Sequence, residues 1–437
     1  MTAMRISRNA LLPLNSAKIR RIGLAAAIAW TAAASYSTAS MAQGRDPISQ
    51  VLGGSTSEWS DGFDAASTGA RDVQTNTPIL SPDIVNAVQV AIAQYSDIVA
   101  RGGWPTVPAL KALRLGARDP AVAALRQRLA ITGDLDSAAG VSAVFDSYVD
   151  AAVRRFQARH GIPVDGVVGE STFAALNVPA SIRLTQLSTN LTRLKSLTES
   201  LPDRFVMVNI PAAAVEAVDN GQVVSRHTAV VGKVDRPSPI INSKIYEVNF
   251  NPFWTVPESI IRRDLIPLMQ KNPQYLTEQK IRIYDPSGNV LAPEQVNWTT
   301  EEATKYMFRQ DPGDFNSLGL VRINFANSDA VFMHDTPNKT LFNTESRFYS
   351  SGCVRVQNIH ELIVWLLRET PDMDRSAIDA EFRSGVRRDV RLSNPIQLYW
   401  TYITAWAATE GVVQFRDDIY NHDGLDIYVA QQGGVPL

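Results

Sequence analysis

Two hydrophobic periodicities divide this chain near residue 205. Before it, apolar residues recur every three or four positions, the spacing of one helical face. Ile84, Val88, Ala91, Ile92 and Tyr95 form such a stripe. Ser81-Pro82-Asp83 reads as its start and Gly102-Gly103-Trp104-Pro105 as its stop. Val122, Leu125 and Leu129 predict a second helix; Tyr148, Ala152, Val153 and Phe156 predict a third. A short helix over Ser171 to Leu176 follows a glycine-rich turn, with Ser171 or Glu170 as its cap. Ile182, Leu184, Leu187, Leu191, Leu194 and Leu197 predict another helix over 182–198, and core packing accounts for them.

From Phe205 onward the pattern becomes short β-type runs. "RFVMVNIP", "VVSRHTAVVG" and "SKIYEVNFNPFW" are rich in Val, Ile, Tyr and Phe and are separated by Gly, Asn or Pro. Further strands are expected at Val321–Phe325, Ala330–Met333 and Cys353–Val356. Residues 257–318 between them are mixed and too long for a bare loop, so a folded lid insertion is expected.

These patterns predict a multidomain α+β chain. The expected domains are a signal peptide (1–42), a flexible linker (43–80), the first part of a helical scaffold (81–110) and a small three-helix domain (111–178). A second scaffold part (179–204), a β-rich domain (205–395, lid 257–318) and a C-terminal scaffold extension (396–437) follow.

Charge and the N-terminus place the chain. Lys18, Arg20 and Arg21 precede an apolar run, Ile22 to Ala34, and Ser40-Met41-Ala42 has the small-x-small form of a cleavage site. The run is shorter than the ~20 residues a spanning helix needs. The expected mature protein is exported and periplasmic. The formal net charge is −2; without residues 1–42, which carry five basic and no acidic residues, it becomes −7. An acidic body argues against nucleic acid as partner.

Export makes the single cysteine informative. Cys353 has no intramolecular partner, and exported proteins use cysteine mainly for disulfides. A thiol that titrates at ~8.5 needs a base to become a nucleophile. His334 lies 19 residues upstream, at a strand end, and Cys353 opens the next strand. Neighbouring strands run ~4.8 Å apart, so a strand–loop–strand unit brings the two side chains to one sheet edge. Gly352 lets backbone approach an acyl group, making the Gly352–Cys353 region an expected oxyanion hole. Arg355, two residues on, shares a face with the sulfur and suits a substrate carboxylate.

"HDTP…SSGCVRV" resembles the catalytic signature of YkuD-type L,D-transpeptidases, in which His is followed by Ser/Thr-x-Gly-Cys-x-Arg. Many members have His before Gly-Cys; here it is Ser351, as in some YcbB-like members. "VNFNPFWTVP", "RQDPGDFNSLGLVRINF" and the tail "WTYITAWAATEGVVQFRDDIYNHD" are similar to the same class, so the resemblance spans roughly 81–423. "AVRRFQARHGIPVDGVVGESTFAALN" resembles the PG_binding_1 three-helix domain, with a longer first connection around Thr132–Val144. Phe332 stands where many class members have Tyr.

The resemblance implies that Cys353 attacks a tetrapeptide stem, releases D-Ala with His334 as proton shuttle, and passes the stem to a diamino acid amine of a neighbouring stem. No cofactor or metal is needed. Peptidoglycan stems are the implied partners, with outer-membrane or wall-associated proteins as further candidates. The same residues serve an L,D-carboxypeptidase or a protein-to-wall anchoring enzyme; a non-catalytic wall-binding protein is the rival outside enzymes. Ser350 and Ser351 are expected to orient His334 or substrate, with turn chemistry as their alternative. Trp254 is assigned to the donor groove, with core packing as its alternative. His227 and His360 read as structural, His160 as a surface residue, and His422 as outside the chemistry.

Overall fold

Ser81 opens the first helix, α1 (Pro82–Ala100): its Oγ accepts from the Ile84 amide at 3.3 Å, and Pro82 occupies the first turn, where an amide is dispensable. The computed structural model describes residues 75–108, 111–408 and 411–424, so the signal peptide and most of the linker expected from the sequence lie outside the described residues. Among those described, no helix is long and apolar enough to cross a membrane.

Three helices follow: α2 (Ala121–Ile131), α3 (Ser147–Arg159) and α4 (Glu170–Leu176). Val122, Leu125, Leu129, Phe145, Val149, Val153, Phe156 and Leu176 form their common core. The cap of α4 is Gly169 rather than Ser171 or Glu170. Glu170 instead begins the helix, where a carboxylate favours the N-terminal dipole. The long α2–α3 connection is held by two buried arginines. Arg126 donates to the carbonyls of Ala139 (2.9 Å) and Val144 (3.1 Å), and Arg159 donates to both Asp134 oxygens.

The next helix, α5 (Ala180–Thr198), shares an apolar cluster with α1. Ile84, Val88 and Tyr95 from one meet Leu187 and Leu194 from the other. Trp406 and Phe415 from the tail complete the cluster.

Nine strands form one sheet among the described residues. They are β1 (Arg204–Asn209), β2 (Ala214–Asp219), β3 (Gln222–Gly232), β4 (Ile241–Phe250), β9 (Val321–Phe325), β10 (Met333–His334), β11 (Phe348–Ser350), β12 (Val354–Val356) and β13 (Arg388–Thr401). Their order is β11-β3-β12-β10-β9-β4-β13-β1-β2, and β2 also pairs with β3. The β2–β3 pairing closes the sheet on itself and leaves β11, which pairs with β3 alone, as an edge strand leading into the Cys353 turn. Alternation splits each strand between two faces. Val248, Ile323, Met333 and Val354 are fully buried inside, against Leu362, Ile363 and Leu366 of α6 (Ile359–Leu367).

The expected boundary at 395/396 is corrected by β13. This strand spans Arg388–Thr401, pairs with β4 in two runs on either side of an irregularity between Arg391 and Ile396, and pairs with β1 through Gln397–Thr401. Residues up to Thr401 thus belong to the sheet.

Two site strands are also shorter than expected. Ala330 has φ +56, outside strand conformation, and Asn327 Oδ1 accepts from the Asp329 and Val331 amides in a turn (both 3.1 Å). The strand β10 can begin only after it. β12 begins at Val354 because Gly352 has φ +109.

Residues between β4 and β9 fold around a second, four-stranded sheet: β5 (Trp254–Thr255), β8 (Met307–Gln310), β6 (Ile281–Tyr284) and β7 (Val290–Leu291), in that spatial order. A helical run from Glu258 to Lys271 packs on it, and Val256, Ile261, Leu265, Leu276, Ile283 and Phe308 make a separate core.

The tail forms a hairpin, β14 (Ala405–Ala407) with β15 (Val413–Phe415). It corrects the surface reading of His160, which is buried. The His160 ring stacks 3.8 Å from Phe156 and 5.6 Å from Phe415, and Nδ1 bonds the Phe156 carbonyl at 2.7 Å. A partner more than 250 residues away in sequence covers it.

Candidate active site

The register across β4, β9, β10, β12 and β3 lines up one residue from each strand. Asn249 faces Arg322, Arg322 faces His334, His334 faces Arg355, and Arg355 faces Val230. Directly paired residues project from the same face. Cys353 lies two residues before Arg355 and shares its face. His334 lies on β10, parallel to and beside β12, which begins one residue after Cys353, and Arg355 acts electrostatically on both His334 and Cys353.

The turn that presents Cys353 is fixed by two hydroxyls. Ser350 Oγ accepts from the Gly352 amide (3.1 Å) and donates to the Cys353 carbonyl (2.5 Å). Ser238 Oγ donates to the Gly352 carbonyl (2.7 Å) and accepts from the Gly232 amide (2.9 Å). Ser238 is buried, and its own amide donates to Tyr420 Oη (3.3 Å), whose hydroxyl also bonds the Gly232 carbonyl. A Cβ at Gly352 would stand 3.3 Å from Val331 Cγ1 and 3.4 Å from the Pro237 carbonyl, on a left-handed backbone. Glycine is required there by conformation. The Gly352 amide is already engaged, while the Cys353 amide has no hydrogen-bond partner among the described residues.

His334 is buried, and its Nδ1 contacts the Asp335 carbonyl at 2.5 Å. A carbonyl only accepts, so Nδ1 carries the proton in that contact, and the Leu318 backbone also acts on the ring. Burial and the nearby Arg355 cation push the imidazole down to about 3. Burial pushes the Cys353 thiol up to about 11, against a backbone hydrogen bond with Phe332 and the pull of Arg355 and Arg322. The resting pair is therefore neutral, thiol beside imidazole.

Arg355 has no carboxylate partner among the described residues. Its Nε is buried without a hydrogen bond, and burial lowers its pKa while the sulfur raises it. This differs from the arginine beside the mouth, Arg236. That side chain pairs with Asp264 of the insertion and donates to Ser351 Oγ at 3.0 Å. Arg236 therefore bridges Asp264 of the insertion to Ser351, two residues before Cys353. Ser351 is engaged with Arg236, and Ser350 holds the turn. Trp254 packs against the insertion's own core.

The other histidines have structural partners. His227 bonds Ser225 Oγ and the Gln357 carbonyl, both at 3.0 Å, and His360 bonds Asp379 at 2.6 Å. His422 packs on Tyr402, with ring centroids 4.4 Å apart. Arg347 is buried and donates to the Ala212 carbonyl at 2.9 Å. Sequence reading missed Ser238, Tyr420, Arg322 and Arg236. Only Arg322 carried a usable signal, since "VRINF" puts it on the polar side of an alternating strand.

A cavity of about 1080 Å³ lies away from Cys353, lined by residues of α4 together with Lys111, Arg183 and Phe415, with Glu345 at its wall. It contains no cysteine, and its histidine is the stacked His160. Size alone does not make it the site of chemistry.

Residues 203–373 match the family model of the YkuD L,D-transpeptidase catalytic domain. Residues 118–176 match PG_binding_1, a provisional peptidoglycan-binding domain. A Haemophilus influenzae protein provisionally described as an L,D-transpeptidase is 35% identical over 243 residues, covering 54% of this chain and 48% of that protein. An N-acetylmuramoyl-L-alanine amidase, CwlM, of Mycobacterium tuberculosis is 43% identical over 81 residues, 17% of this chain and 20% of that one. The chain thus aligns with about half, or less, of the length of these relatives. A solved L,D-transpeptidase of Stackebrandtia nassauensis shares 14% identity, covering 68% of this chain and 96% of that one, at a TM-score of 0.26. On the two domain matches, the chain carries an L,D-transpeptidase catalytic domain of the YkuD family, preceded by a PG_binding_1 domain.

Proposed function

We propose that the protein is an exported, periplasmic peptidoglycan L,D-transpeptidase of the YcbB-like class in which Cys353 is the nucleophile and His334 its base. The observation that carries this is the shared face of Cys353, His334 and an Arg355 that no carboxylate among the described residues pairs with. A buried guanidinium left unpaired is costly unless a ligand supplies the counter-charge.

The mechanism follows from the neutral resting pair. A donor stem lays a carboxylate on Arg355. Neutralising that cation removes part of what depresses His334 and makes it a better base. Nε2 of His334 takes the thiol proton as Sγ attacks the carbonyl of the bond to D-Ala. The Cys353 amide donates to the tetrahedral oxyanion; the expected role of Gly352 is thereby confined to shaping the turn. His334 returns the proton to the departing D-Ala amine, and a thioester remains. An amine of a second stem then attacks the thioester, His334 accepts its proton, and the thiol is regenerated. We further propose that the insertion is a lid, tethered at the mouth by Arg236 and Asp264, and that the PG_binding_1 domain holds the enzyme on the wall.

Incubating the purified protein with tetrapeptide muropeptides tests this by mass spectrometry. The expected products are free D-Ala and a dimer joined through third-position residues. D-Ala with tripeptide only would make the enzyme a carboxypeptidase, and no D-Ala release would refute the reading.

A further inference from the structure

His334 stands between two guanidiniums. Arg355 flanks it on β12 and Arg322 on β9, each in direct lateral register with it. All three side chains project from one face of the sheet. Arg322 is held in place without being neutralised. Its Nε donates to Asn249 Oδ1 at 3.1 Å, and its Cζ lies 4.9 Å from the centre of the Phe332 ring. That ring meets His334 edge-on at 5.7 Å. The residue expected to be Tyr in this class is thus an apolar platform under a cation.

The acids nearest Arg322 are committed elsewhere. Asp389 pairs with Arg387 at 2.6 Å and accepts from Asn249 at 2.8 Å. Glu247 accepts from Asn249 and Asn324 at 3.0 Å and lies 3.7 Å from Arg391. Neither makes an ion pair with Arg322 among the described residues, although both act on it at longer range. Burial lowers the pKa of Arg322, which marks a cation with incomplete compensation. Asn249 has its oxygen toward the guanidinium and its amide toward the acids, so it orients the cation without cancelling it.

The donor chemistry supplies what two such cations need. A tetrapeptide stem has a terminal D-Ala carboxylate on one side of the scissile bond. On the other side lies the third residue, whose side chain ends in an amine alone (lysine type) or in an amine and a carboxylate (diaminopimelate type). Two strand spacings separate Arg322 from Arg355, roughly 9.6 Å at the backbone. A stem extended from its terminal carboxylate through the scissile bond and along a diamino acid side chain covers a comparable length.

We propose that Arg322 is a second carboxylate subsite, which selects donors whose third residue carries a free distal carboxylate while Arg355 takes the terminal one. The assignment rests on the transpeptidase reading and deepens it by naming the donor class. The substrate spans the base, with one anionic end on each guanidinium, and this fixes the scissile carbonyl above Cys353. Donors with lysine at position three, or with the distal carboxylate amidated, lose the Arg322 contact.

The test uses the full chain and two synthetic tetrapeptide stems that differ only in a free or amidated distal carboxylate. D-Ala release gives kcat and KM for each. The wild type should prefer the free acid about ten- to hundredfold, mainly through KM, the worth of one charge-assisted hydrogen bond. Arg322→Gln should bring the preference ratio close to one, and Arg322→Lys should restore part of it, because an ammonium keeps the charge and loses the fork. Equal use of both stems by the wild type overturns the subsite, as does an undiminished ratio in Arg322→Gln. The wild-type comparison stands even where a variant fails to fold. No D-Ala release from either stem by the wild type sinks the transpeptidase reading itself, an outcome distinct from equal use.

Discussion

Buried arginines do opposite things in two regions of this molecule. In the PG_binding_1 domain, Arg159 donates to both Asp134 oxygens at 2.7 and 2.6 Å and Arg126 pairs with Asp146, each also reaching backbone carbonyls. At the proposed catalytic site, Arg322 and Arg355 flank His334 with no carboxylate on either among the described residues. Each arginine of the first set has a carboxylate partner inside the fold, although Arg126 Nε itself has no hydrogen bond among the described residues. The second has no ion-pair partner among the described residues, and on the proposed reading a substrate supplies the counter-charge. The difference separates arginines that hold structure from arginines that wait for substrate, and it makes opposite predictions for stability and turnover.

The largest effect is expected on the structural side. Asp134→Ala leaves Arg159 buried and unpaired, which should cost about 3–5 kcal/mol in a denaturant melt. The enzyme that remains folded should release D-Ala at the wild-type rate. Unchanged stability would place Arg159 with the groove arginines and erase the contrast.

The thiol tests the groove side next. With Cys353 at about 11 and His334 at about 3, thiol and imidazole are both uncharged at neutral pH. Thiolate content then rises with pH through the neutral range, so alkylation by iodoacetamide should quicken about tenfold per pH unit above 7 and level off only near 11. Removing the cation in Arg355→Gln should shift the curve further up. A plateau already reached below pH 7 would mean a preformed thiolate–imidazolium pair.

Arg355→Ala comes third. Losing a charge-assisted bond to the donor costs roughly 1.5–3 kcal/mol, so kcat/KM should fall ten- to hundredfold with little loss of melting temperature. Arg355→Lys should recover only part of it. An early melt with normal turnover would make Arg355 a structural residue like Arg159.

How much of this was legible in the sequence depends on chain distance. His334, Cys353 and Arg355 could be grouped because strand alternation and a separation of only 19 positions constrain their faces locally. The turn around Gly352 was legible for the same reason, since glycine before a nucleophile signals unusual backbone. Arg322, Asn249 and Ser238 were not grouped with the site, because their place there comes from sheet register between strands far apart in sequence. Burial of His160 depends on Phe415 in the tail, and no local pattern announces a partner that distant. The boundary expected at 395 failed because the chain rejoins β4 at Ile396 after an irregularity and pairs with β1 up to Thr401, a register that Ser393, Asn394 and Pro395 do not announce.

Ser238 gives the smallest predicted effect. Ser238→Ala removes the hydroxyl that links the Gly352 carbonyl to the Gly232 amide. The expected stability loss is about 1–2 kcal/mol, with kcat lowered several-fold and KM unchanged, because the turn is loosened while the arginines are untouched. A changed KM with constant kcat would move Ser238 from holding the turn to binding substrate.

The central claim is that Cys353 carries the stem as a thioester, and intact-mass spectrometry of the full chain mixed with a tetrapeptide donor reads this directly. The account predicts one adduct, equal to the stem less D-Ala, on the wild type, removed by hydroxylamine and absent from Cys353→Ala. An adduct on Cys353→Ala, or D-Ala release by that variant at the wild-type rate, would contradict it.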